Sequence, residues 1–211
     1  MTTSTLLLIL VCLLPLGCST SVDSNPPAAK PTVASTTSTA STTATPVTSP
    51  RASGLYALSA TDIDGKPDAL APHAGKVTLV VNTASECGYT PQYDGLQKLH
   101  TELASRGFAV IGVPSNDFGG QEPGSAAEIK TFCSERFDVT FPMLAKAVTK
   151  SGSEQSPIFG YLEKETGKLP SWNFCKYLVG KDGKVIAFYP SKVTPSDAEL
   201  RKAIEDALAK G

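Results

Sequence analysis

The sequence predicts an α/β fold in which a mixed central sheet carries helices on both faces, with an added N-terminal β-hairpin. Residues 76–81 (KVTLVV) and 108–113 (FAVIGV) are continuous apolar, β-branched runs, which are typical of strands buried inside a sheet. A helical pattern separates them, and a strand, helix, strand order implies a right-handed crossover with two parallel strands. Two further strand patterns meet at 180–183 (GKDG), which predicts an antiparallel hairpin.

The first half of the domain contains a predicted hairpin and a predicted helix. Residues 55–76 place an apolar segment, the turn Asp64-Gly65 and a polar return in order, which predicts the hairpin. The helix begins at Pro91 and ends before Gly107. One face of this helix is apolar and is formed by Tyr93, Leu96, Leu99 and Leu103.

The second half adds three helices and two strands. Ser125 caps a helix over 125–137, with Glu128 at the capping-box position. Pro157 lies in the first turn of a short helix, and Ser196 or Thr194 caps the last one. The predicted ranges are 141–144 extended, 156–165 helix, 174–179 strand, 184–189 strand and 195–209 helix. This order is a thioredoxin-like arrangement.

The N-terminus, residues 1–18, has the pattern of a secretory leader. An apolar run over 6–16 ends at Gly17-Cys18 and is shorter than the roughly 20 residues that a bilayer span needs. Cys18 after a small residue resembles the acylated cysteine of bacterial lipoproteins, which predicts lipidation at Cys18 and anchoring in the cell envelope. Pro15 and the lack of a basic residue before the run leave a plain signal peptide or a retained anchor as alternatives.

Residues 19–53 predict a disordered tether. The segment is rich in Ser, Thr and Pro, with Asp23, Lys30 and Arg51 as its charged residues. Such a composition does not bury enough apolar surface to offset the entropy of ordering. The globular domain is therefore expected over 54–211.

Net charge and cysteine content exclude several classes of function. A net charge of −1 argues against a nucleic-acid surface, which shows a basic excess. The leader holds Cys12 and Cys18, which leaves Cys87, Cys133 and Cys175 in the domain. Because no C-x-x-C pair occurs, a disulfide framework or a zinc site is not expected, and we expect no metal or cofactor.

Cys87 is the candidate nucleophile. It follows a buried strand and precedes a helix, and helix N-termini offer unpaired N–H groups and a positive dipole end that favour a thiolate. Gly88 removes bulk beside the sulfur. A buried, inert cysteine is the alternative, but the surrounding segment is small and polar and carries no apolar stripe.

Three segments resemble the signatures of the glutathione peroxidase family: 82–93 (NTASECGYTPQY), 114–124 (PSNDFGGQEPG) and 172–174 (WNF). The resemblance covers about 55–208. It implies a catalytic set of Cys87, Gln121, Trp172 and Asn173, in which the thiolate attacks a peroxide and becomes a sulfenic acid. The amides and the indole N–H are donors that suit a departing oxygen.

The resemblance also implies how the enzyme is reset. A sulfenic acid condenses with a second cysteine or reacts with an external thiol. Cys133 is the tentative resolving residue, although it lies one residue earlier than in the plant-type pattern; Cys175 is the alternative. The expected reductant is thioredoxin, with glutathione as the alternative, and the short connections 146–155 and 168–171 imply a monomer.

The expected function is a peroxidase that reduces hydrogen peroxide and organic or lipid hydroperoxides, and three other functions compete with it. A thiol–disulfide oxidoreductase needs a second cysteine at Thr90, and a copper-delivery protein needs one at Pro91. A non-catalytic envelope lipoprotein of the same fold is the third possibility, and the joint presence of the four site residues argues against it.

Overall fold

The computed structural model describes residues 52–210 and contains four strands and four helices in that range. The leader with Cys18 and residues 19–51 of the predicted tether lie outside the described residues. Within 52–210 no helix is long and apolar enough to cross a membrane. The elements are β1 Val77–Thr83, α1 Gln92–Leu103, β2 Phe108–Pro114, α2 Ala126–Phe137, α3 Pro157–Thr166, β3 Lys176–Val179, β4 Val185–Tyr189 and α4 Ala198–Ala209.

The four strands form one mixed sheet in the order β2-β1-β3-β4. The crossover through α1 makes β1 and β2 parallel, with Val77 opposite Phe108 and Thr83 opposite Pro114. β3 is antiparallel to β1 and pairs with β4 in the predicted hairpin. The mixed sheet and the thioredoxin-like order of elements are therefore confirmed.

The sheet separates two apolar cores, which explains why β1 has no solvent-exposed face. Leu79 and Val81 point to the core that α1 and α4 cover, and Val80 points to the core under α3. All seven residues of β1 are buried. A strand that is buried on both sides is largely apolar, as the run over 77–81 indicated, and the buried polar residues of β1 are Thr78, Asn82 and Thr83. α2 contributes two buried residues, Ile129 and Cys133, to the first core.

Two helix caps test the sequence rules. The Ser125 side chain accepts a hydrogen bond from Glu128 N–H, and the Glu128 carboxylate accepts one from Ser125 N–H, so the predicted capping box is confirmed. The predicted cap of α4 is wrong. Asp197 caps this helix, because its Oδ1 accepts from the Glu199 and Leu200 N–H groups. Thr194 and Ser196 bond to each other through their hydroxyl groups.

The predicted N-terminal hairpin is wrong in its first strand, whereas its turn is present. Gly54–Ala57 forms one turn of 3-10 helix. Strand geometry sends successive side chains to opposite faces, but Leu55 and Tyr56 are both buried in the α3-side core. The Tyr56 hydroxyl also donates to Lys76 O, at 2.7 Å. At the turn, Gly65 N–H donates to Asp62 O.

His73 is a buried group whose protonation is linked to folding. Its Nδ1 has no hydrogen-bond partner in the described part of the chain. Burial, followed by the charges of Lys76 and His100, lowers the pKa of His73 to about 4. The folded protein therefore resists a proton that the unfolded chain accepts near pH 6.5. The stabilisation is complete above pH 6.5 and is lost as the pH falls to about 4.

We expect His73→Leu to remove part of the acid destabilisation. Chemical denaturation of the parent should show the unfolding free energy falling by roughly 3 kcal/mol from this group between pH 6.5 and 4. The variant should lack that component, so its profile should be flatter over the same interval. Parallel profiles for parent and variant would show that His73 does not couple to folding.

Candidate active site

Cys87 lies in the loop that joins β1 to α1, where a backbone N–H reaches its sulfur. The residue is 8% exposed. The regular helix begins at Gln92, and Cys87 precedes it by one turn in which Thr90 N–H donates to Cys87 O. Tyr89 N–H donates to Cys87 Sγ at 3.4 Å. The sulfur thus has a donor from the turn that leads into the helix.

Thr90 holds this turn in place, and the sequence analysis missed that role. Its Oγ1 accepts the Cys87 N–H at 3.0 Å and donates to Ala84 O at 2.9 Å. Thr90 is buried, so both bonds are shielded from water. A threonine three residues after the cysteine was the available signal, because Ser and Thr side chains bond to nearby backbone groups in turns.

Gln121 connects the Cys87 loop to the segment that precedes β3. Its backbone carbonyl accepts the Glu86 N–H at 3.0 Å, next to Cys87. Its side-chain Oε1 accepts from Asn173 Nδ2, also at 3.0 Å. Since that bond occupies the oxygen, the Gln121 amide presents its two N–H donors elsewhere. Asn173 is fully buried, so its amide acts as a fixed support.

Trp172 is exposed and is therefore not part of the hydrophobic core. Its side chain is 40% exposed and packs on Phe118, with ring centroids 5.9 Å apart. Aromatic rings that pack in the core are buried, as Phe174 is. Trp172 therefore lies at the rim of the site, with a polar indole N–H on an accessible ring.

Asn82, at the end of β1, fixes the Trp172–Cys175 segment and was also missed. Its side-chain Nδ2 donates to Trp172 O at 3.0 Å, and its backbone carbonyl accepts the Phe174 N–H at 2.6 Å. Phe174 has φ 64°, a left-handed conformation that is costly for a bulky residue. This conformation is why β3 begins at Lys176 and not at Phe174 as predicted.

The structure brings the three loops of the predicted site together, with one difference from the expectation. Hydrogen bonds join the segments that carry Cys87, Gln121 and Asn173, and Trp172 adjoins Asn173 in the chain. Among residues 52–210 the hydrogen bond at the Cys87 sulfur comes from Tyr89 N–H, and the side chains of Gln121, Trp172 and Asn173 form none to it.

The two other domain cysteines are both buried. Cys133 is 2% exposed on α2, and burial is the main cause that raises the pKa of its thiol to about 11. Cys175 is fully buried, with its sulfur 3.5 Å from Ser191 Oγ. No disulfide joins the three cysteines of the described range.

The sheet and the loop cysteine define a class: thiol-dependent oxidoreductases with the thioredoxin-like fold. The glutathione peroxidase family model matches residues 55–163. The chain therefore belongs to the glutathione peroxidase family, whose members are peroxidases.

Known proteins resemble this chain over most of the described range. A hydroperoxy fatty acid reductase of Synechocystis is 43% identical over 71% of this chain and 95% of its own length. A thioredoxin/glutathione peroxidase of Escherichia coli is 40% identical over 71% and 94%. The apo crystal structure of Trgpx superposes with a TM-score of 0.61 at 30% identity, covering 75% of this chain and 98% of that one.

We expect Thr90→Val to lower the reactivity of Cys87. Valine keeps the shape of threonine but leaves the buried Cys87 N–H unpaired, which costs about 1–3 kcal/mol of stability. The turn that presents Tyr89 N–H to the sulfur should loosen, and alkylation of Cys87 by iodoacetamide should slow by roughly tenfold.

Thr101→Val is the matched control, because Thr101 is exposed on α1. Its unfolding free energy should change by less than about 0.5 kcal/mol, with parental alkylation. Equal alkylation rates for Thr90→Val and Thr101→Val would contradict the role of Thr90.

Proposed function

We propose that this protein reduces hydrogen peroxide and organic or lipid hydroperoxides at Cys87, by way of a sulfenic acid, with thioredoxin as the reductant. The observation that carries the proposal is the pair of hydrogen bonds at Gln121, from Glu86 N–H and from Asn173 Nδ2. They join a thiol loop to two further loops that carry polar donors. This connection of loops at the C-terminal ends of β1 and β2 favours a catalytic site over a non-catalytic scaffold.

The chemical step uses the Cys87 thiolate as the nucleophile. Its sulfur forms a bond to one peroxide oxygen, the O–O bond breaks, and the second oxygen leaves with negative charge and takes up a proton as water or an alcohol. In this proposal the Gln121 amide and the Trp172 indole N–H donate hydrogen bonds to that departing oxygen. Asn173 positions the Gln121 amide through Oε1.

Two aromatic side chains at the rim support lipid hydroperoxides as substrates. Tyr89, two residues after Cys87, is 37% exposed, and Trp172, next to Asn173 in the chain, is 40% exposed. Accessible aromatic surface beside a reactive group favours contact with an acyl chain. The similarity to a hydroperoxy fatty acid reductase supports the same substrate class.

The resolving thiol in this proposal is Cys133. It lies on α2, which is held to the core by few apolar side chains and is therefore the helix that opens at least cost. Cys175 is fully buried on a segment fixed by Asn82, so movement there is disfavoured. The Escherichia coli relative, named for both thioredoxin and glutathione, supports either reductant, and thioredoxin suits a protein disulfide.

The N-terminal part of the proposal concerns location. We place the protein in the cell envelope, as a monomer attached to a membrane through a lipid at Cys18 and extended by the tether 19–53. The support is the sequence pattern alone. Globomycin sensitivity and mass spectrometry of the N-terminal peptide distinguish acylation from a plain signal peptide.

We expect Cys87→Ser to abolish peroxidase activity. Hydroxyl groups do not form a sulfenic acid, so consumption of hydrogen peroxide and of a fatty acid hydroperoxide with a thioredoxin system should fall at least about 100-fold. The coupled assay follows NADPH oxidation. Cys175→Ser is the matched control and should retain most activity. Activity in Cys87→Ser equal to that of the parent would refute the role of Cys87 as the nucleophile of the peroxidase reaction.

Cys133→Ser tests the resolving step separately. After one equivalent of peroxide, the parent should lose two thiols and yield a Cys87–Cys133 peptide in disulfide mapping. The variant should stop at a Cys87 sulfenic acid, which dimedone traps, and thioredoxin-dependent turnover should fall about 10-fold or more. A Cys87–Cys175 disulfide in the parent would assign the resolving role to Cys175.

A further inference from the structure

A cluster of buried polar atoms without partners lies between the Cys87 loop and α2. It contains Thr83 Oγ1, Ser85 Oγ, Tyr93 OH and both carboxylate oxygens of Glu122. Glu122 is fully buried. Buried polar groups are nearly always hydrogen-bonded, so five unpartnered atoms in one place demand an explanation.

The Glu122 backbone is firmly held, which fixes where its carboxylate lies. Its N–H donates to Asn116 Oδ1 at 2.8 Å, and Lys146 Nζ donates to its carbonyl at 2.8 Å. The lysine thus bonds to the main chain of Glu122 and leaves the carboxylate unpaired. The preceding residue, Gln121, accepts the Glu86 N–H, so Glu122 adjoins the Cys87 loop.

The charge of Glu122 is poorly compensated. Burial raises its pKa, and the nearby negative charge of Glu86 adds to the rise, while Ser85 and Lys146 oppose it in part. The Ser85 hydroxyl and backbone N–H are the neighbouring donors that lower this pKa. A carboxylate in this state gains stability when it takes a proton, because neutralisation removes the cost of burying its charge.

The thiol of Cys133 faces the same cluster from α2. Burial and then the Glu122 charge raise its pKa to about 11, with Tyr93 as the neighbour that opposes the rise. In the packed helix Cys133 is therefore a protonated thiol. The thiolate is the nucleophile in disulfide chemistry, so the resolving step requires a group that removes this proton.

We propose that Glu122 is the general base of the resolving step, which accepts the thiol proton of Cys133 as this residue attacks the Cys87 sulfenic acid. The proposal rests on the resolving role of Cys133 given above. Glu122 lines one cavity with Ser85, which lies two residues before Cys87, and with Ile129 and Phe132 of α2, which lie four residues and one residue before Cys133.

The step is balanced in atoms and charge. The Cys133 S–H proton passes to the Glu122 carboxylate, and the thiolate sulfur forms a bond to the Cys87 sulfur. The S–O bond of the sulfenic acid breaks, and the leaving hydroxide takes the proton back from the Glu122 carboxyl group to form water. The net result is a disulfide and one water, with Glu122 unchanged.

Other titratable groups near Cys133 are poorly suited to this role. The pKa of Tyr93 lies well above its ordinary value because of burial, so its hydroxyl stays protonated. His73 lines the same groove as Cys133, but its pKa of about 4 makes it a weak base. On α2 itself Glu128 and Glu135 are exposed, and Glu128 is engaged in the capping box.

Rapid mixing of the reduced full chain with one equivalent of hydrogen peroxide tests the proposal. Quenched samples are scored by mass spectrometry for dimedone-trapped Cys87 sulfenic acid and for the Cys87–Cys133 disulfide. In Glu122→Gln the sulfenic acid should form within about twofold of the parental rate. The disulfide should then form about 100-fold more slowly, because general base catalysis contributes on this order.

Glu135→Gln provides the matched control, because it removes a carboxylate from the exposed side of α2 two residues from Cys133. It should resolve at the parental rate. In the parent, disulfide formation should also slow as the pH falls through the raised pKa of Glu122, since a protonated carboxyl group accepts no proton. That inflection should be absent from Glu122→Gln. Thermal unfolding verifies that the variant is folded.

The outcomes separate this proposal from the function on which it rests. A Glu122→Gln protein that forms the disulfide as fast as the parent, with the same pH profile, refutes the role of Glu122 and leaves Cys133 as the resolving residue. A parent that forms no Cys87–Cys133 disulfide refutes both. Equal slowing in Glu135→Gln attributes the effect to α2 in general and also refutes the proposal.

Discussion

Gln121 is the residue on which the geometry of the site depends, because it is bonded from two directions. Its carbonyl takes the Glu86 N–H beside the reactive cysteine, and its side-chain oxygen takes the buried Asn173 amide. These bonds join loops that emerge from the ends of β1 and β2 and a loop that precedes β3. Without them, only the sheet would position the thiol relative to these polar groups, and the distances between their loops would not be fixed.

The sheet supplies the rigid base for this connection. β1 is buried on both faces, so its end is immobile, and Asn82 at that end holds the Trp172–Cys175 segment through its main chain and its side chain. Phe174 accepts a left-handed conformation because those bonds and its packing against Tyr93 compensate for the strain. The result is a rigid support under an exposed aromatic rim, which suits a site that admits bulky substrates.

Local rules predicted most of the fold. Apolar runs identified β1 and β2, and the Ser125 capping box identified the start of α2, since both signals depend on residues close in sequence. The errors arose where distant contacts decide. The 55–58 segment looks like a strand but turns so that Leu55 and Tyr56 both enter one core. The cap of α4 is a local exception, since Asp197, one residue after Ser196, accepts the first N–H groups of the helix.

For the site, the sequence by itself determined which residues are the candidates for the chemistry, because the motifs around Cys87, Gln121 and Trp172–Asn173 are long and occur together. It also determined that Cys87 lies between a buried strand and a helix. Only the tertiary structure decided which groups meet: Tyr89 N–H at the sulfur, Thr90 across the turn, and Glu122 in a cavity with Ser85 and α2. The physical reason is that burial, which sets the charge state of a carboxylate or a thiol, is a property of the packed chain and of no segment alone.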